Sequence, residues 1–227
     1  MGFIVQIGGF YMEYNKYIDH TNLKPFATLN DIMKLCSEAN YYKFKSVCVN
    51  PAYVETAKEL LNGSEVLICT VIGFPLGQNT TDVKKFEVID AISKGADEVD
   101  VVLNVAEMKN KNYDYILNEL KEIVKAADGV LVKLILETCY LTDEEIIKAC
   151  QLASEAGIDF VKTSTGFGTQ GATVEAVKLM KNNINSNMKV KASGGIKTKE
   201  DFLKMIDAGA ERIGTSNGVQ IMEGFNE

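Results

Sequence analysis

Between residues 17 and 216 the sequence alternates two hydrophobic patterns. Short runs rich in β-branched residues recur at 17–23 (YIDHTNL), 45–50 (KSVCVN), 65–74 (EVLICTVIGF) and 97–104 (DEVDVVLN). They continue at 130–138 (VLVKLILET), 159–165 (DFVKTST), 188–193 (MKVKAS) and 211–216 (ERIGTS). The stretches between them carry apolar residues three and four apart, as in Ile116, Leu120, Ile123 and Val124, which is the spacing of one helix face. Thr142 with Glu145, and Thr198 with Asp201, have the form of capping boxes that start helices. Gly95, Gly157 and Gly209 each close a helical stretch just before a strand.

Eight strand–helix units of about 28 residues fill the 227-residue chain, each near the size of one βαβ step. The strands read as nearly continuous apolar runs, as parallel strands covered on both faces do. A single (β/α)8 TIM barrel over residues 13–227 closes such a sheet most economically, and an open doubly wound sheet is the other arrangement compatible with the alternation. Regular spacing and the lack of a linker favour the barrel, which places function at the carboxyl ends of its strands. Residues 1–12 (MGFIVQIGGFYM) are uncharged and mostly apolar, lack the basic segment and cleavage site of a secretory signal, and are too short to span a bilayer. They are expected to form a flexible N-terminal extension. No other segment has the pattern of a membrane span.

With 46% hydrophobic and 24% charged residues the composition is that of one sizeable globular domain. A net charge of −7 argues against general binding to nucleic acid or anionic membranes, so an anionic ligand requires a local site that works against the overall field. The single histidine, His20, excludes zinc sites built on two or three histidines. The five cysteines are scattered and form no CxxC pair, which suits a reducing cytoplasm and offers neither a zinc ribbon nor a dithiol redox centre.

Charges inside the strands change the picture most. Asp100, Lys133, Lys162 and Lys191 each interrupt an apolar run on four successive strands. A lone buried charge costs several kcal/mol, so such groups pair, lose their charge or react. Any one lysine could instead point outward and snorkel between helices. Four together place one carboxylate and up to three amines in a common cavity. A free lysine amine has a pKa near about 10.4, and desolvation or a neighbouring cation lowers it, which is what Schiff-base formation with a carbonyl needs. A nearby carboxylate can then move protons during carbinolamine formation and imine hydrolysis.

The glycine pattern points to phosphate. Residues 166–172 read GFGTQGA, a GxGxxG string after a strand. The acidic residue that a dinucleotide site needs about 20 positions later is missing, because residues 182–192 contain no Asp or Glu. A phosphate-binding or active-site loop accounts for the same glycines. SGGI (193–196) and GTSNG (214–218) follow the last two strands, where barrel enzymes often hold phosphate on backbone N–H groups. Ordinary turns are the alternative for either loop alone.

These residues resemble the deoxyribose-phosphate aldolase family, class I aldolases on a TIM barrel. The likeness runs through YIDHTNLKP (17–25), GADEVDVVLN (95–104), VKLILET (132–138), FVKTSTGFG (160–168), VKASGGI (190–196) and RIGTS (212–216). It implies reversible, metal-independent and cofactor-free cleavage of 2-deoxy-D-ribose 5-phosphate to D-glyceraldehyde 3-phosphate and acetaldehyde, in deoxynucleoside catabolism. The family's Schiff-base lysine falls on Lys162, the second lysine that perturbs it on Lys191, and the proton-relay aspartate on Asp100. The phosphate-contacting positions fall on Gly166, Gly168, Gly171, Gly194, Gly195, Ile196 and Ser216. Asp19, Cys48 and Lys133 match positions that line or support the site. Phe167 stands where some members carry a basic residue, and Asn217 where a second serine is common. A sugar phosphate is the implied partner and a homodimer the implied assembly. A substrate lacking the phosphate, or a barrel that binds without turnover, are the competing readings.

Overall fold

A computed structural model describes residues 4–7 and 10–225. Strands β1 (Ile4–Ile7) and β2 (Phe10–Glu13) pair antiparallel, with Ile4 opposite Glu13 and Ile7 opposite Phe10. The flexible extension expected over residues 1–12 lies partly outside the described residues.

Eight further strands are β3 (Ile18–Asn22), β4 (Ser46–Val49), β5 (Leu67–Ile72), β6 (Glu98–Val102), β7 (Leu131–Ile135), β8 (Phe160–Lys162), β9 (Lys189–Ser193) and β10 (Arg212–Thr215). They close into one barrel in chain order, with β10 pairing back onto β3 and every neighbour parallel. Each lies inside a strand expected from the sequence, and the barrel rather than the open sheet is found.

The connecting helices are α1 (Leu29–Tyr42), α2 (Val54–Leu60), α3 (Thr81–Ser93), α4 (Val105–Lys109), α5 (Tyr113–Ala127), α6 (Asp143–Ala156), α7 (Val174–Lys181), α8 (Lys199–Asp207) and α9 (Gly218–Glu223). Thr142 and Thr198 cap α6 and α8 with full capping boxes. Each satisfies backbone N–H groups that the first helical turn leaves without partners. Gly157 ends α6 in the left-handed conformation. The expected helix face recurs in α5, where Ile116, Leu120 and Ile123 are buried.

Strand periodicity sorts the side chains into two environments. Val99 and Val101 of β6, Val132 and Leu134 of β7, Val161 of β8 and Val190 of β9 belong to the large apolar core. That core is the layer between the barrel and its helices. Side chains alternate across a strand, so the intervening residues face the barrel interior. Those are Glu98 and Asp100, Lys133, Lys162 and Lys191, with Asp19 of β3 and Arg212 of β10, all buried. The interior is thus largely ionic, with a small apolar cluster of Leu23, Cys48, Cys69 and Val71 on the β4–β5 side.

One buried ion pair lies outside the barrel. Lys84 of α3 donates to Glu119 of α5 at 2.7 Å and to the Val102 carbonyl at 3.0 Å, and Thr81 donates to the other Glu119 oxygen at 3.1 Å. Removing one partner of such a pair leaves an uncompensated buried charge. Lys84→Met is expected to destabilise the protein by about 3–5 kcal/mol, while Lys84→Met with Glu119→Leu recovers most of the loss. Chemical denaturation of the two variants measures the difference.

Candidate active site

The strand register brings the interior charges together. Asp100 pairs in register with Lys133, Lys162 with Lys191, and Lys191 with Arg212. Asp100 Oδ2 accepts from Lys162 Nζ at 2.8 Å and from Lys191 Nζ at 2.7 Å. Its Oδ1 accepts from Lys133 Nζ at 3.0 Å and from the Cys69 thiol at 3.1 Å. Lys191 also meets Asp19 at 2.5 Å, and Lys133 meets Glu98 at 2.6 Å. Arg212 bridges the two outer acids, forking onto Glu98 at 3.0 and 2.8 Å and reaching Asp19 through Nε at 2.8 Å and through Nη2. Ser46 donates to Asp19 at 2.7 Å. Four cations therefore share three carboxylates.

Burial and charge oppose each other at every member. Burial alone would push the Asp19 carboxyl up, but Arg212, Lys191 and Lys133 together hold it well below the ordinary range. Asp100 is likewise held well below by Lys133, Lys162 and Lys191 against the effect of burial. Burial would lower Lys191, but Asp100 and Asp19 outweigh it and raise its pKa well above the ordinary value. Lys133 is raised in the same way by Asp100, Cys69 and Glu98.

Above this network the carboxyl ends of the strands surround a cleft of about 500 Å³. Lys162 is the one network member on its wall, and it is 3% exposed where Lys133, Lys191 and Asp100 are fully buried. Gly166, Gly194, Gly195, Ile196 and Ser216 line the same cleft. Gly166, Gly194 and Gly195 have positive φ of 87°, 88° and 80°, a backbone state that favours glycine. The backbone N–H groups of Gly166, Gly168, Gly194 and Gly195 have no hydrogen-bond partner among the described residues.

Gly168 and Gly171 stand elsewhere: they pack the loops together and are not on the cleft wall. A Cβ on Gly171 would lie 2.2 Å from the Gly194 carbonyl oxygen, and one on Gly168 would lie 2.8 Å from Cys139 Sγ. Ala172 N donates to the Ser193 and Gly194 carbonyls and binds the two loops further. Phe167 is on the wall, half exposed, with its ring edge-on to Phe74 at 5.3 Å. Asp19 and Lys133 lie below the cleft as network members, and Cys48 is fully buried beside Cys69.

Glu98 and Arg212 belong to the network although the sequence reading singled out neither as a site residue. Their signal was available: Glu98 is two positions before Asp100 on one strand face, and Arg212 is the only arginine. Cys48, Cys69 and Asp100 are close enough to share a metal ion, with donor atoms within 4.8 Å of one another. The set does not fit a metal, because both Asp100 oxygens already carry ammonium groups and an added cation would face three like charges.

The depressed carboxylates and raised lysines set a pH window. Between the folded and unfolded pKa values of Asp19, Asp100 and Glu98 the unfolded chain binds more protons, so their contribution is present above about pH 4 and is lost as pH falls. Raised Lys133 and Lys191 contribute fully below about pH 10, and that contribution is lost as pH rises through their folded values. Denaturant midpoints measured against pH are expected to be highest between these limits and to fall on both sides.

The sequence model of the DeoC/LacD family aldolases matches residues 14–222. The chain is 61% identical over 213 residues to the deoxyribose-phosphate aldolase of Streptococcus sanguinis, covering 94% of this chain and 97% of that one. It is 58% identical over 217 residues to the deoxyribose-phosphate aldolase of Thermococcus gammatolerans, covering 94% and 96%. Among solved structures, the tetrameric deoxyribose phosphate aldolase of Aeropyrum pernix superposes with a TM-score of 0.89 at 36% identity, covering 95% of this chain and 92% of that one. This chain belongs to the DeoC/LacD family of aldolases.

Proposed function

We propose that the chain cleaves 2-deoxy-D-ribose 5-phosphate reversibly to D-glyceraldehyde 3-phosphate and acetaldehyde, through a Schiff base on Lys162. The observation that carries this reading is the position of Lys162: it is the one amine of the buried network on the cleft wall, and it shares a carboxylate oxygen with a second lysine. The names of the relatives support the substrate.

The network has one cation more than it has carboxylates, so losing one proton leaves it balanced. Lys191 and Lys133 each touch a second carboxylate and Lys162 does not, so Lys162 is the amine placed to react at the cleft. The free amine adds to the C1 aldehyde of the open-chain sugar, and loss of water gives an iminium. Deprotonation of the C3 hydroxyl breaks the C2–C3 bond, and its electron pair enters the iminium to form an enamine. Glyceraldehyde 3-phosphate leaves; protonation at C2 and hydrolysis release acetaldehyde and restore the amine. Asp100, touching both amines, is placed to move protons in the addition and hydrolysis steps. The phosphate would rest on the glycine turns after β8 and β9, with Ile196 and Ser216 beside them. The working assembly is a homodimer or a multiple of one, as the tetrameric A. pernix relative would allow. Five free cysteines and a small polar substrate suit the cytoplasm.

Borohydride trapping with the sugar phosphate, without added metal or nucleotide, is expected to leave one reduced adduct on the peptide containing Lys162. Adducts spread over surface lysines would defeat the assignment. Lys162→Met is expected to abolish turnover with the fold retained, because three cations then face three carboxylates. Asp100→Asn should slow turnover by about 10²–10⁴, the usual contribution of a general acid–base group. Lys191→Leu removes the competing cation and should move the alkaline requirement of the pH–rate profile upward. Phe167 on the cleft wall favours one second reading, an unphosphorylated sugar as substrate. Similar kcat/KM values for deoxyribose with and without the 5-phosphate would support it.

A further inference from the structure

Glu137 follows β7 and is 4% exposed. Its backbone is left-handed (φ 55°, ψ 62°), which a side chain other than glycine rarely adopts. No cation pairs with its carboxylate among the described residues. Its donors come from the loop that follows β8. Thr165 N approaches Oε1 and Oε2 at 3.2 and 3.3 Å, and the Thr165 hydroxyl donates to Oε2. The Cys139 thiol makes a longer contact at 3.9 Å. Thr165 Oγ1 in turn accepts from Phe167 N at 3.0 Å. A Cβ on Gly168 would lie 3.1 Å from the Glu137 carboxyl carbon, so the loop rests directly on this group.

A buried carboxylate without a cation is costly unless hydrogen bonds replace its water. Here those bonds are spent on one turn of the cleft wall. Because the Thr165 proton goes to Glu137, its oxygen is left to accept from Phe167 N. Hydrogen bonds in such a chain strengthen one another. Phe167 N is thereby fixed, while the N–H groups of Gly166 and Gly168 stay without partners. Gly166 and Phe167 line the cleft, so the Gly166 N–H is the unpaired donor of this turn on that wall, where backbone N–H groups of a turn can bind an anion.

We propose that Glu137 is a positioning residue for the phosphate end of the cleft: through Thr165 it prebuilds the Gly166–Gly168 turn and so sets the preference for a phosphorylated over an unphosphorylated sugar. The proposal rests on the aldolase reading above. It assigns Glu137 no contact with substrate and no proton transfer at the reacting carbons.

The experiment compares kcat and KM for 2-deoxyribose 5-phosphate and for 2-deoxyribose in the wild type, Glu137→Gln, Thr165→Val, Thr165→Ser and the Glu137→Gln/Thr165→Val double variant. Inorganic phosphate is titrated as a competitive inhibitor, and circular dichroism monitors folding. In Glu137→Gln the ratio of kcat/KM values for the two sugars is expected to fall by about tenfold or more, the loss of a hydrogen bond to a charged group. The fall should appear in KM, and the phosphate inhibition constant should rise in step. Thr165→Val should reproduce the effect, Thr165→Ser should retain the wild-type preference, and the double variant should be no worse than the worse single one. Equal loss on both sugars, a change confined to kcat, or additive losses in the double variant would overturn the proposal. If Glu137→Gln does not fold, the two Thr165 variants decide it alone. A wild type inactive on the sugar phosphate would instead refute the aldolase reading, which separates the two failures.

Discussion

Asp100 carries three ammonium groups on two oxygens inside a barrel from which water is excluded. Such an arrangement survives only if each lysine has a second acid or an opening to solvent. Lys133 has Glu98, Lys191 has Asp19, and Lys162 has the cleft. Arg212 then ties Glu98 and Asp19 to each other, so that Lys162 alone among the cations rests on a single carboxylate. The apolar layer between strands and helices makes this affordable, because it leaves the barrel interior free for ions without removing the protein's main hydrophobic core.

The barrel and its chemistry were legible in the sequence to different depths. Eight β-branched runs at regular spacing are enough to indicate parallel strands, and capping boxes at Thr142 and Thr198 mark helix starts. Mid-strand charges at Asp100, Lys133, Lys162 and Lys191 were visible because they violate an apolar pattern. Whether they faced in or out was not visible: that is set by register, and one residue of slip would exchange the faces. Glu98 was harder to see because it begins its strand, where charge breaks no pattern. Glu137 stands near the end of the run 130–138, where a charge breaks no pattern, and its partner Thr165 is 28 positions away in the chain. Hydrogen bonds between loops leave no periodic trace in a sequence.

The glycines divide by mechanism in a way their string does not reveal. Gly166, Gly194 and Gly195 supply backbone angles on the cleft wall, whereas Gly171 lets one loop touch the backbone of the next. The amine on β8 and the turn that follows it are therefore held in one frame with the loop after β9. Lys162 is three residues from Thr165, so a displacement at one end of the cleft reaches the other through a short, doubly tied segment.

The order of the charges along the chain has a consequence for how the barrel is assembled. All three interior carboxylates come from β3 and β6, in the first half of the barrel, and all four interior cations come from β7 to β10, in the second. Neither half can bury its inner face alone, since one would enclose only negative charge and the other only positive. Attraction between the two halves therefore favours the pairing that closes the sheet. The ionic interior thus favours the whole barrel over either half, and opposite charges meet at the two seams between the halves, β6 against β7 and β10 against β3.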